Sequence, residues 1–224
     1  MLSLFSKLLK RKPTLPEKWK LMRIKDTPLL SIDLELTSLD TTIAKITSIG
    51  WVTGENQSID LSSAFYTIIR ASGDLRQSPV IHGLTARDLL KGEHITNLIG
   101  QLQALASSHV WVLHNASLDM QVLDKLANKL RIPKFQITTI DTMLLELYFL
   151  NKTQDMVKQD AVTLKKCRHR HGLPEAPNHN ALDDALATLG LGFAQWYQFD
   201  KQSSAPLSDL LHTKSIKVYS IGTD

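Results

Sequence analysis

Leu29-Leu30-Ser31-Ile32-Asp33-Leu34-Glu35-Leu36-Thr37 reads as a buried strand interrupted by two acids. Asp33 and Glu35 are two residues apart, so on an extended chain they leave the same face, about 7 Å apart along it at a rise of about 3.3 Å per residue. Ile32, Leu34 and Leu36 take the opposite face. Charged side chains are almost never buried unless paired or bound to metal, and two carboxylates on one face repel unless a cation lies between them. A polar-faced edge strand would explain this stretch taken alone.

Two further stretches carry acids where packing alone would favour apolar residues: His114-Asn115-Ala116-Ser117-Leu118-Asp119 and His179-Asn180-Ala181-Leu182-Asp183-Asp184-Ala185. On a helix over 117–130, Asp119 heads the stripe of Val122, Leu123, Leu126 and Leu130. An acid is favoured in a first helical turn, which accounts for its tolerance there but not for its inward direction. Asp183 and Asp184 are neighbours and cannot share a face. Asn180 is a candidate helix cap with Asp183 as its partner, leaving Asp184, at the head of Ala187, Thr188 and Leu191, as the candidate metal ligand. His179 precedes this helix and has the residue type best suited to act as a base at neutral pH. Cys167, His169 and His171 are zinc-ligand types, but alternate helical positions diverge and do not converge on one ion.

Around these stretches the chain reads as strands at 29–36, 44–53, 63–70, 109–113 and 135–140, and helices at 85–90, 95–106, 117–130, 142–150, 157–170 and 180–197. Three strands on short connections followed by alternating strand and helix predict an α/β fold, a mixed sheet flanked by helices. The predicted organisation is a basic, flexible arm over 1–27, one domain over 28–199 and a tail over 200–224.

At 224 residues, 43% hydrophobic and 21% charged, the chain is long enough for one sizeable core. Its net charge of +4 is uneven: residues 1–26 hold eight bases and two acids, leaving a mildly acidic remainder. Besides a solubilising tail, three readings of this arm arise. They are nonspecific phosphate contact, a weak membrane-surface helix built on Leu2, Phe5, Leu8 and Leu9, and a clamp-docking peptide at Leu2-Ser3-Leu4-Phe5. Cys167 is the lone cysteine, which excludes an internal disulfide and points to a reducing, cytoplasmic compartment. No apolar run approaches bilayer length.

The three motifs together resemble the DEDDh 3′→5′ exonucleases, the family of the proofreading, epsilon-type subunit of bacterial DNA polymerase III. Ile81-His82-Gly83-Leu84-Thr85 and Ile140-Asp141-Thr142 resemble two further segments of that family, and the likeness spans about residues 28–198. The resemblance implies a ribonuclease H-like, five-stranded mixed sheet with helices on both sides. It implies that Asp33, Glu35, Asp119 and Asp184 hold two divalent cations, Mg²⁺ or Mn²⁺, and that His179 deprotonates the attacking water. Leu36, Thr37, His82 and Asn115 would line the pocket for the terminal nucleotide. The implied substrate is the 3′ end of a single strand, DNA favoured, with contact to a polymerase or sliding clamp as a possible partnership. Leu36-Thr37-Ser38 stands where the family has Thr-Thr-Gly, and Leu118 where it often has Phe. An RNA or oligoribonucleotide exonuclease on the same fold, and an inert nucleic-acid-binding scaffold, are the competing readings; the full set of acids with the histidine argues against the second.

Overall fold

A computed structural model describes residues 14–71, 83–154, 156–177, 180–202 and 204–223. The expectations for Leu2–Phe5, His82 and His179 lie outside the described residues. The strands are β1 (Leu29–Leu36), β2 (Ile46–Glu55), β3 (Ser58–Ile68), β4 (Val110–Leu113), β5 (Phe135–Asp141) and β6 (Ile216–Ile221). The helices are α1 (Glu17–Lys20), α2 (Ala86–Lys91), α3 (Ile99–Ser108), α4 (Ala116–Lys129), α5 (Thr142–Leu150), α6 (Leu164–Arg170) and α7 (Ala181–Phe199).

One sheet runs β3-β2-β1-β4-β5-β6. The first three strands form the expected antiparallel meander, β1, β4 and β5 are parallel, and β6 closes the far edge antiparallel to β5. The mixed sheet flanked by helices is as expected, but it has six strands and not five. The additional strand comes from the segment read as a tail, where Ile216-Lys217-Val218-Tyr219 carries the β-branched and aromatic residues that suit a pleated surface. The β2–β3 hairpin turns tightly at Asn56 and Gln57, both at positive φ (51° and 60°), so the third strand begins five residues earlier than predicted.

The residues of β1 divide between two cores. Leu30, Ile32 and Leu34 pack with Trp111 and Leu113 against Met120, Val122 and Leu123 of α4. Leu29, Val110, Val112 and Ile140 pack against Leu189 and Trp196 of α7. The second core also takes in Leu15, Trp19 and Ile24, so the described part of the expected arm is anchored. Backbone bonds from Ile24 N to Ala205 O and from Leu207 N to Met22 O, 2.9 Å each, tie it to the segment after α7. The bases Lys18, Lys20, Arg23 and Lys25 thus decorate a packed element, and charge alone does not distinguish that from a free arm.

Glu146 on α5 is 1% exposed and holds three helices together. It accepts from Arg170, from His171 Nε2 at 2.9 Å and from Gln195 Nε2 at 2.8 Å. Burial pushes its carboxyl up, but those donors outweigh it and hold the group below its ordinary value. Cys167, in the stretch weighed for zinc, is buried, and desolvation pushes its thiol up to about 12, a packing residue rather than a ligand. Among the described residues no helix is long and apolar enough to cross a membrane.

Candidate metal centre at the ends of the parallel strands

Asp33 and Glu35 lie on the face of β1 that meets α7. Ser31, two residues earlier on the same face, donates its hydroxyl to Ala185 O at 2.7 Å and so docks the first turn of α7 against the strand. Asn180 caps that helix, its side-chain oxygen accepting from Leu182 N at 3.0 Å and Asp183 N at 3.3 Å. No return bond from Asp183 forms among the described residues, so only half of the expected reciprocal cap is present. These contacts bring Asp184 to the strand acids: Asp33, Glu35 and Asp184 each offer a carboxylate oxygen, all within 4.8 Å of one another. It is the one such cluster of metal-ligating side chains among the described residues.

Asp119 reaches the same place from the opposite layer and is 4% exposed. Its carboxyl is raised well above the ordinary value by burial first, then by the charges of Asp141 and Glu35. Asp33 is raised likewise, by burial and then by Asp119, Glu35 and Asp184. No cation of the chain pairs with Asp33 or Asp119 among the described residues. The contrast with Glu146 is direct: there the chain supplies the countercharge, and here it supplies more negative charge. Hard oxygen donors in this number fit a hard divalent cation such as Mg²⁺ or Mn²⁺.

Asp141, quoted in the sequence only as part of a resembling segment, shapes the second motif. It accepts from Asn115 N (3.2 Å) and Ala116 N (3.0 Å) at the head of α4, and from Met143 N (3.0 Å) and Leu144 N (3.2 Å) at the head of α5. One carboxylate therefore caps two helices and stabilises Asn115 in the left-handed region (φ 73°), which turns α4 so that Asp119 points inward. Burial still leaves the Asp141 carboxyl raised. His114, the first residue of that motif, is structural, bonding Thr142 Oγ1 at 2.9 Å and Val162 O at 2.8 Å. Leu36 and Asn115 are half-buried and Thr37 is buried, all beside the acids in chain position.

Gly50 is a determinant that the motif reading missed. It pairs with Asp33 across β1 and β2, where α7 descends onto the sheet. An added Cβ would lie 2.5 Å from Leu182 Cα and nearer still to Leu182 N, overlapping backbone that cannot rotate away. A glycine inside a strand signals such close approach. Gly50→Ala is expected to cost about 1–3 kcal/mol of stability by overpacking. Because Asp184 rides on the displaced helix, and a misplacement of about 1 Å can cost about 10²-fold in rate, activity should fall on the order of 10- to 100-fold. Gly100→Ala, in a helix where a Cβ meets nothing within 4 Å, is the control: it should match the parent in turnover and equal or slightly exceed it in chemical denaturation.

A family model described as Exonuclease, of the RNase T type, matches residues 30–191. The solved structure of exonuclease X in complex with 5′ overhanging duplex DNA is similar at a TM-score of 0.59 and 21% identity, over 81% of this chain and 98% of that one. Cell-death related nuclease 4 is similar at 0.62 and 12% identity, over 88% and 81%. E. coli exonuclease I with an oligonucleotide is similar at 0.63 and 12% identity, over 84% of this chain but 43% of that one. These likenesses show the shared fold. A search of curated proteins finds no significant match. The chain belongs to the exonuclease family and is a hydrolytic exonuclease.

Proposed function

We propose that this chain removes nucleoside 5′-monophosphates from the 3′ end of single-stranded DNA with the help of two divalent cations. The observation that supports this most is the convergence of Asp33, Glu35 and Asp184 within 4.8 Å, with buried Asp119 in their field. Asp33, Glu35 and Asp184 would hold one Mg²⁺ or Mn²⁺, and Asp33 with Asp119 the second. When bound, the pair supplies acidity to water and offsets negative charge on the attacking and leaving oxygens of an in-line displacement at phosphorus. His179 takes the proton from the attacking water. Leu36, Thr37, His82 and Asn115 seat the terminal nucleotide and align its phosphodiester. The preference for single-stranded DNA follows the resemblance to the proofreading type of DEDDh exonuclease.

RNA is the second reading, favoured by likeness to a 3′-exonuclease solved with a histone mRNA stem-loop, at a TM-score of 0.57. Matched single-stranded DNA and RNA, labelled at either end and incubated with Mg²⁺, Mn²⁺ or chelator, test both. Metal-dependent release of mononucleotides from the 3′ end of DNA is the expected result. Faster digestion of the RNA would transfer the assignment to the second reading, and cleavage persisting in chelator would overturn the metal chemistry.

A further inference from the structure

The geometry points to a cationic groove beside the metal centre as the track for the single strand upstream of the nucleotide being removed, an assignment that rests on the exonuclease reading above. The groove, about 600 Å³, lies between β2, residues 69–71 and α4. Its floor is apolar, with Ile46, Ile69 and Val122 all buried. Its rim carries Lys45, Arg70, Lys125 and Lys129, and among the described residues no acidic side chain lines it. Lys125 is fixed by donating to Thr41 O and Ala44 O, both at 2.7 Å. Lys129 follows one turn later on the same helix. Asp40 lies close enough to Lys125 to offset part of its charge, but among the described residues no carboxylate pairs with Arg70 or Lys129, so a polyanion would find these two charges uncompensated.

Backbone ties the rim of the groove to the end of the strand that carries Asp33 and Glu35. Thr37 N donates to Lys45 O, and Lys45 N donates to Thr37 Oγ1, both at 3.0 Å. Val122 stands one helical turn beyond Asp119. From Val122 to Lys129, α4 runs about 10 Å at 1.5 Å per residue. A stacked strand places a phosphate about every 3.4 Å, so about three phosphates fit that length. Apolar floor and cationic rim match what single-strand grooves present to bases and backbone respectively. A second basic cavity, about 420 Å³ beside Asp184, is a weaker candidate, because all of its lysines and arginines but Arg168, which donates to Ala187 O and Pro174 O, are already paired with carboxylates. Lys165 pairs with Glu175, Lys166 with Asp160 and Arg170 with Glu146.

The test uses the full chain and the double variant Arg70→Gln/Lys129→Gln, with two readouts. Binding of a labelled oligodeoxynucleotide of about a dozen nucleotides is titrated in chelator across salt concentrations. Hydrolysis of the 4-nitrophenyl ester of thymidine 5′-monophosphate, which has no upstream phosphates, is followed with Mg²⁺. The variant should bind the oligonucleotide about tenfold more weakly or worse, with a log–log salt slope shallower by about 1.4 for two lost phosphate contacts, and hydrolyse the ester at the parental rate. Unchanged oligonucleotide binding would overturn the track and leave the groove to some other partner, such as an acidic protein segment. Equal losses on both substrates would also overturn it, by showing that the substitutions damage the centre itself. A parent that hydrolyses neither the ester nor, when Mg²⁺ replaces the chelator, the oligonucleotide would overturn the exonuclease reading, and the track with it.

Discussion

Asp33→Asn is expected to lower cleavage by at least about 10³-fold while raising the melting temperature of the metal-free protein by about 2–4 °C. The loss follows from the role proposed for Asp33 as the carboxylate shared by both cations: their electrostatic help is worth several kcal/mol, and about 4 kcal/mol is about 10³ in rate. The gain follows from its surroundings. Burial and three like charges raise the Asp33 carboxyl well above 3.8. The folded form then binds that proton more tightly than the unfolded chain does, so the stability from this group is complete below the ordinary value and is lost as pH rises through the raised one. Asparagine removes that loss. A relief on the order of 1 kcal/mol corresponds to about 2–4 °C at this chain size. Calorimetry in chelator and in Mg²⁺, at pH 5 and pH 8, checks both halves. The parent should melt higher with Mg²⁺, more so at pH 8, and the variant should lose most of that response. A variant that keeps cleaving, or that melts lower in chelator, would sink the assignment of Asp33. Asp184→Asn should match it in lost activity.

The acids were legible in the sequence because each sits against a periodic apolar pattern that packing alone does not explain. Asp33 and Glu35 place two like charges on one face of an otherwise apolar strand, and Asp119 interrupts a period of 3.6. The contacts that aim those acids were not legible, because they join residues far apart in the chain. Asp141 reaches back to Asn115 and Ala116, and in the sequence alone it resembles any acid at a helix start. Gly50 carried a weak signal, a glycine within a β-branched run, but nothing local shows that α7 is what approaches it. The packing of residues 14–27 and of the segment after α7 was not legible for a related reason. Leu15, Trp19 and Ile24, four and five residues apart around Pro16, make no sustained periodic stripe, and their burial depends on Leu207 and Leu210, which belong to the segment after α7. A composition reading sees a basic arm and a tail separately, whereas the fold buries Leu15, Trp19 and Ile24 together with Leu207 and Leu210.

His179→Ala carries the other large effect, and its value lies in failing differently from Asp33→Asn. His179 immediately precedes Asn180 in the chain, and the side chain of Asn180 caps α7 one turn before Asp184. General-base assistance contributes about 10²–10⁴-fold, and turnover should drop within that range. A histidine titrates near neutrality, about 6.5 when unperturbed. Below that value the parent's base is protonated and idle, so the parent's kcat/KM should fall on the acid side, and in the variant that limb should flatten or move. Because the histidine is not among the proposed ligands, the rise in melting temperature on adding Mg²⁺ should survive in His179→Ala as it does not in Asp33→Asn. Loss of the Mg²⁺ response together with activity would make His179 part of the metal site. A variant with parental turnover across the whole pH range would leave the proton of the attacking water to another acceptor and reduce His179 to a structural residue.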